Sequence, residues 1–227
     1  RPPYAPYAPY ATRPQPLAVL GSTLLFGAFA SSAGYELYSY DGVTTALVKD
    51  ISPSGGNFID HFAVLGTRAY FAADDGTHGH EVWKSDGTAA GTVLVRDVNP
   101  GPDSSEAANF TAAGSTLYFV ANDNSAGYEL WKSDGTEAGT VVVRDILPGP
   151  GSSVPGGLTA VGDTLYFTAD DGVTGTELWR SDGTEAGTIL VRDIRPGTLG
   201  SIPSRLTGVS GRLFFAADDG VSGVELW

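Results

Sequence analysis

Apolar and polar residues alternate along this chain in short segments, and turn-forming residues separate the segments. The residues from Leu158 to Gly197 show the pattern once, with apolar segments at Leu158–Val161, Thr164–Ala169, Thr176–Arg180 and Ile189–Ile194. The intervening Gly-Asp and Asp-Gly pairs supply the positive φ angles that tight hairpin turns need. β-Branched and aromatic residues fill the segments, and no window keeps a helical period. The pattern therefore predicts four short antiparallel strands.

The four-strand unit recurs along the chain with a spacing of 48 residues. ELWKSDGTEAGT at 129–140 returns as ELWRSDGTEAGT at 177–188, and EVWKSDGTAAGT stands at 81–92. Large aromatic residues mark the same positions in successive units: Tyr38, Trp83, Trp131, Trp179 and Trp227. A fixed period of this length predicts an array of similar structural units.

The packing of the units follows from the second segment, where Leu165-Tyr166-Phe167 are apolar at consecutive positions. A strand of this kind is buried on both faces, so each unit must pack face to face with its neighbours. The sequence therefore predicts an all-β fold, a β-propeller of about five four-stranded blades built from ~48-residue repeats; a stacked solenoid is the alternative. We expect the recurring aromatic residues to fill the spaces between blades, and exposed platforms for sugars are the alternative.

Two regions follow from this pattern: a proline- and tyrosine-rich extension at 1–16 and a repeat domain at 17–227. The repeats cover about 17–57, 58–106, 107–154 and 155–202, with a partial repeat at 203–227. Pro-Tyr-Ala triplets in the extension favour polyproline II, which places Tyr4, Tyr7 and Tyr10 on one edge. We expect this edge to make an assembly contact between molecules, by self-association or with another surface protein; a contact with the chain's own repeat domain is the alternative.

Composition and charge exclude several classes of function. The 227 residues carry a formal charge of −13 and include no cysteine. An acidic surface repels nucleic acid and anionic lipid, and without cysteine there is no disulfide, thiol nucleophile or zinc–thiolate site. The sequence has no apolar run long enough for membrane insertion and no GxSxG, HExxH or P-loop motif. We therefore predict a protein that is not an enzyme and that has no catalytic residue.

Some polar residues are nevertheless candidates for a site. Calcium prefers oxygen-rich turns, and acidic residues recur with the repeat at Asp74, Asp75, Glu81, Asp170, Asp171, Glu177, Asp218, Asp219 and Glu225. Turn geometry alone also explains the Asp-Gly pairs, so the prediction is no cofactor, with calcium as the alternative. His78 and His80 could hold a transition metal, and Asn109-Phe110-Thr111 matches a glycosylation sequon. Recurring Arg-Asp pairs such as Arg144-Asp145 predict ion pairs across strands or blades.

The quoted motifs resemble the ELWxxDGT repeat of secreted and surface bacterial proteins. The matches are Glu81-Val82-Trp83 with Asp86-Gly87-Thr88, Glu129-Leu130-Trp131 with Asp134-Gly135-Thr136, and Glu177-Leu178-Trp179 with Asp182-Gly183-Thr184. The resemblance covers roughly residues 17 to 227 and implies an extracellular or cell-surface location, with no catalytic residue to carry over.

These observations predict a non-enzymatic structural or assembly protein, such as a filament or adhesin subunit that contacts its neighbours through the N-terminal extension. A ligand-binding propeller, lectin-like or calcium-binding, is the alternative. An enzyme would need polar residues that are not repeated to converge in the central channel, where His78 and His80 are the candidates.

Overall fold

The computed structural model describes residues 15–30, 34–53 and 59–227 of the chain. These residues form five sheets of three or four antiparallel strands, and none of them is helical. It follows that the described part of the chain has no helix that could cross a membrane. The prediction of an all-β propeller with about five blades is confirmed.

Each blade consists of strands that are consecutive in the chain. The first strands are β1 (Gln15–Leu20), β5 (Asp60–Leu65), β9 (Ala108–Ala113), β13 (Gly156–Val161) and β17 (Ser204–Val209). The second strands are β2 (Thr23–Ala30), β6 (Arg68–Asp74), β10 (Thr116–Asn122), β14 (Thr164–Asp170) and β18 (Arg212–Asp218). The third strands are β3 (Gly34–Tyr40), β7 (His80–Ser85), β11 (Tyr128–Ser133), β15 (Thr176–Ser181) and β19 (Val224–Leu226). The fourth strands are β4 (Thr45–Lys49), β8 (Val93–Arg96), β12 (Val141–Arg144) and β16 (Ile189–Arg192).

The first strand of each blade lies at one edge of its sheet and contacts the first strands of the neighbouring blades, β1 with β5, β5 with β9, β9 with β13 and β13 with β17. These strands therefore form the inner wall of the propeller. Strand β13 begins at Gly156, before the predicted start at Leu158, and β1 begins at Gln15, inside the predicted extension. Both strands start earlier than predicted because their first residues pair across an irregularity in the ladder.

The recurring tryptophans lie between blades. Trp131 is 4% exposed and packs in one cluster with Val82 and Val95 of the preceding blade. Trp83 and Trp179 occupy the same place in the two adjoining clusters. A large aromatic ring at this position buries apolar area from two sheets at once, which explains why the repeat keeps it. Tyr38 and Trp227, in the first and last blades, are partly exposed.

Basic residues also connect successive blades, although not through the predicted Arg-Asp ion pairs. Arg144 Nη1 donates to the Thr188 carbonyl of the next blade at 2.7 Å, and its guanidinium lies 5.7 Å from the centre of the Trp179 ring. Arg96 makes the same two contacts with Thr140 and Trp131. The neighbouring blade thus offers an aromatic face and a carbonyl to each cation, and this geometry repeats with the sequence.

Candidate functional site

The inner wall is one of two places where the blades depart from regular pairing, the other being the ladder between the third and fourth strands. In β5, β9, β13 and β17 the pairing with the second strand shifts register, so each inner strand contains a β-bulge. A bulge leaves residues out of the ladder and redirects their side chains, and bulges are frequent beside binding sites. The bulges therefore mark the part of each blade that is free from the requirements of strand pairing.

One position in each bulge has a left-handed backbone. His61, Asn109, Gly157 and Arg205 have φ angles of 53°, 59°, 61° and 56°. Only glycine adopts this conformation without strain, and Asn tolerates it better than most other residues. Four different residue types nevertheless share it. Asparagine and histidine are both enriched in this conformation, so arginine is the least expected of the four. The polar side chains at this position are candidates for binding because Asn109 and Arg205 line a common cleft.

Threonine side chains satisfy the carbonyl groups that the bulges leave outside the ladder. Thr159 Oγ1 donates to the Gly157 carbonyl at 2.9 Å and lies 3.4 Å from the Leu206 carbonyl of the next inner strand. Thr111 makes the corresponding contacts with the carbonyls of Asn109 and Leu158. A half-buried carbonyl group that is outside the ladder needs a hydrogen-bond donor, and these threonines supply it. The sequence thus contains the residues that stabilise the bulges. These hydroxyls also hold neighbouring inner strands together.

A cleft of about 360 Å³ opens between the bulges of β9, β13 and β17. Its lining residues are Asn109, Phe110, Thr111, Gly157, Leu158, Thr159, Arg205 and Leu206. Asn109 and Arg205 are exposed, whereas Phe110 is 8% exposed and stacks on Phe119. The cleft therefore combines an apolar floor with an amide group and a cation, which is the usual composition of a small binding site.

The second blade has a polar group at the same level that is not repeated elsewhere. His80 Nε2 lies 3.4 Å from Asp60 Oδ1, and His61 Nε2 lies 3.7 Å from Asp60 Oδ2. The next blade has Ala108 and Asn109 where this blade has Asp60 and His61. His80 was a sequence candidate, but the contact with Asp60 was not predicted. His78 lies apart from this group and bonds to Asp75 at 2.8 Å.

The repeated glutamates that were considered as calcium ligands are buried and bind the backbone. Glu81 is fully buried and accepts hydrogen bonds from the N–H groups of Val98 and Ser105 at 2.9 Å and 2.8 Å. Glu129 and Glu177 have the same place in their blades, whereas Glu225 is exposed. Each buried carboxylate thus fastens the loop that leads to the next blade. The physical reason is that N–H groups in an irregular buried loop need acceptors.

The aspartates considered with them form turns. Asp74 and Asp170 accept from the N–H groups of Gly76 and Gly172, both at 2.7 Å. Asp75, Asp171 and Asp219 accept from the next loop residues in the same way, and Asp218 also pairs with Arg195 at 2.8 Å. Within the described ranges no three His, Asp or Glu side chains are grouped as metal ligands. The calcium alternative stays a prediction, and the structure gives these carboxylates another role.

Two further sequence candidates have different outcomes. Asn109, the residue of the glycosylation sequon, lies in the cleft rather than on an outer loop. Tyr4, Tyr7 and Tyr10 lie outside the described residues. The assembly contact expected of them therefore stays a prediction.

The buried glutamates lead to a testable pH dependence. Burial raises the pKa of Glu81 from 4.5 to about 7, and burial also raises the pKa of Glu129. Between about pH 4.5 and pH 7, the folded state therefore binds more protons than the unfolded state. As pH falls from 7 to 5, we expect the free energy of unfolding to rise by about 1–3 kcal/mol. Urea unfolding at several pH values measures this change in the free energy of unfolding.

The turn aspartates do not oppose this trend within the same window. Hydrogen bonds from Thr136 and Thr184 lower the pKa of Asp134 and Asp182, so the stability that they contribute is lost only below about pH 4. The variant Glu81→Gln serves as the control, because it should be less stable and show a shallower slope between pH 5 and 7. A parent protein whose stability rises with pH across this window would contradict the assignment.

Comparison with solved structures identifies proteins that share the fold. A puromycin hydrolase superposes with a TM-score of 0.54 and 17% identity, over 92% of this chain and 33% of its own. A prolyl endopeptidase matches with a TM-score of 0.51 and 13% identity, over 90% and 30% of the two chains. The β-propeller domain of the Trilobed protease from Pyrococcus furiosus, described as having an open velcro topology, matches at 0.52 and 10% identity, over 96% and 68%. The chain thus spans about a third of the length of the first two.

No protein-family model and no curated protein sequence matches the chain. Membership of the ELWxxDGT family and an extracellular location therefore stay predictions. The prediction of a structural or assembly protein, as a filament or adhesin subunit, is wrong, because the three solved structures described above come from peptidases. The prediction that the chain is not an enzyme stays a prediction, since the chain matches only a part of those enzymes.

Proposed function

We propose that this chain is the propeller module of a peptidase related in architecture to the prolyl oligopeptidases, and that it binds peptide substrate at the inner-strand cleft. The observation that carries the proposal is the superposition of nine-tenths of the chain on about one third of such enzymes. In this proposal the chain holds the peptide, and another part of the complete enzyme supplies hydrolysis.

The cleft has the properties that such a role requires. A peptide offers amide groups and side chains of mixed polarity, and the cleft offers an apolar floor with Asn109 and Arg205 at its surface. It lies on the inner wall, where three blades meet and where the bulges free side chains from strand pairing. The outer ladder also shifts register in each four-stranded blade, but the cleft is lined by inner-strand residues, so the inner wall is the favoured site.

Binding without cleavage is the expected result for the isolated chain. A proline-containing pentapeptide, blocked at both ends, should bind with a Kd on the order of 0.1–1 mM, as expected for a small open site. Isothermal titration calorimetry measures the binding, and mass spectrometry of the same mixture shows whether the peptide stays intact. Hydrolysis by the isolated chain, or no binding up to several millimolar, would contradict the proposal.

A matched pair of substitutions locates the binding. Gly157 lies in the cleft with a φ of 61°, and a Cβ atom there would meet only Leu206 side-chain atoms, the nearest at 3.7 Å. Gly157→Asn therefore fills the cleft with a residue that tolerates this backbone, and we expect at least a fivefold weaker affinity. Gly162 has a φ of 62° in a hairpin turn with nothing near its Cβ position, so Gly162→Asn should leave the affinity unchanged. Equal effects of the two variants would place the site elsewhere.

A further inference from the structure

Arg205 is the cation of the cleft, in a protein whose formal charge is −13. The salt bridges of the described residues do not include it, and its side chain is exposed. Arg144 and Arg96, by contrast, are engaged with the aromatic ring and the carbonyl of the next blade. Arg205 thus differs from these structural arginines, because its charge is available to a ligand.

The backbone at Arg205 has a conformation that glycine adopts in the preceding blade. Its φ of 56° is in the left-handed region, which is strained for a non-glycine residue. The same position in the preceding blade is Gly157, which adopts the conformation without that strain. The fold therefore accepts glycine or arginine at this position, as it accepts Val154 and Ile202 at φ angles of 47° and 50° nearby, so the backbone does not itself select the arginine. Binding of an anionic group is a reason to keep a guanidinium at the surface of a cleft.

The apolar residues of the cleft indicate which chemical group lies beside an anion bound to Arg205. Leu206 follows Arg205 directly, and Leu158 and Phe110 complete the apolar part of the lining. The Asn109 amide makes no hydrogen bond among the described residues, so it can bind a peptide group. A carboxylate, an adjacent apolar side chain and a peptide bond occur together at the C-terminus of a peptide.

We infer that the cleft recognises the free C-terminal carboxylate of a peptide with an apolar last residue, and that Arg205 binds the carboxylate. The inference rests on the proposed function and adds the class of substrate to it. The guanidinium binds the carboxylate through charge-assisted hydrogen bonds, Leu158, Leu206 and Phe110 contact the last side chain, and Asn109 binds the preceding peptide group. Because the site is open, the charge adds a moderate preference rather than tight binding.

The test compares two forms of one peptide. An N-acetylated tetrapeptide ending in Pro-Leu is prepared as the free acid and as the C-terminal amide, and binding of each is measured by calorimetry. We expect the parent chain to bind the acid about fivefold to tenfold more tightly than the amide. The preference should fall as salt concentration rises, because the site is open to solvent.

Three variants separate a specific role from a general charge effect. Arg205→Gln should bind acid and amide equally, while Arg205→Lys should retain part of the preference because it keeps the charge. Arg212 is exposed on the second strand of the same blade, so Arg212→Gln removes the same charge outside the cleft and should keep the full preference. Melting temperatures of all variants should match that of the parent, since both arginines are exposed.

The outcomes distinguish this inference from the proposed function. Equal binding of acid and amide by the parent would overturn carboxylate recognition and leave peptide binding intact. A preference that survives in Arg205→Gln, or that is lost in Arg212→Gln, would overturn the role of Arg205. Failure of the parent to bind either form would overturn the proposed function and this inference together.

Discussion

Replacing Trp131 with alanine should lower the free energy of unfolding by about 3–5 kcal/mol, the cost of removing a large buried aromatic side chain. The side chain is 4% exposed and fills the space between the second and third blades, where it packs with Val82 and Phe119. Arg96 lies 5.8 Å from the centre of the same ring, so its contact is lost too. Urea unfolding monitored by circular dichroism measures the change.

A control at the adjacent repeat position shows whether the loss depends on burial. Leu130 precedes Trp131 and is fully buried, whereas Leu226 precedes Trp227 and is 78% exposed. Leu226→Ala should therefore change the free energy of unfolding by less than about 0.5 kcal/mol. If Trp131→Ala were as stable as the parent, the ring would lie outside the core, and the alternative of an exposed sugar platform would gain support.

Replacing Glu129 with alanine should destabilise the protein by a similar amount, about 3–5 kcal/mol. Its buried carboxylate accepts from the Ile146 and Ser153 N–H groups at 3.1 Å and 3.0 Å, and from Ser153 Oγ at 2.6 Å. Removal leaves these donors buried without an acceptor and opens a cavity. The loop between the third and fourth blades should then open locally, which faster amide hydrogen exchange at Ser153 would show.

The matched control for this change is Glu225→Ala. Glu225 has the same position in its repeat but is exposed, so its removal should be nearly neutral. Equal losses of stability in the two variants would mean that the glutamate acts through charge or propensity rather than through the backbone bonds. A neutral Glu129→Ala would contradict the proposed fastening of the loops.

The fold could be predicted from sequence because its determinants repeat. The consecutive apolar residues in Thr164–Ala169, the Asp-Gly turns and the spacing of Trp131 and Trp179 each reflect a local rule that the blades share. Repetition strengthens a weak local signal, so the four strands and the inter-blade position of the rings follow directly. The strand ends were less certain, since Gly156 and Gly157 look like a turn and are in fact the start of a bulged strand.

The candidate site could not be predicted in the same way. Residues shared by the repeats report what every blade needs for packing, whereas His61, Asn109 and Arg205 differ from blade to blade. The sequence signal for the site is this variation from blade to blade. It occurs at the residue before the first large apolar side chain of each inner strand. Glu81 is repeated, yet its role could not be predicted from the repeat. Its partners Val98 and Ser105 are distant in sequence, so only the folded chain shows that its carboxylate is buried.

The most direct test of the account is the location of bound peptide, measured by 1H–15N nuclear magnetic resonance. The blocked proline-containing pentapeptide is titrated into the labelled chain, and the amide shift changes are mapped onto the strands. We predict that the largest changes fall on the inner strands β9, β13 and β17, around Asn109, Gly157 and Arg205. Changes concentrated on the outer strands β8, β12 and β16, or no changes at millimolar peptide, would contradict the claim that the inner cleft binds peptides.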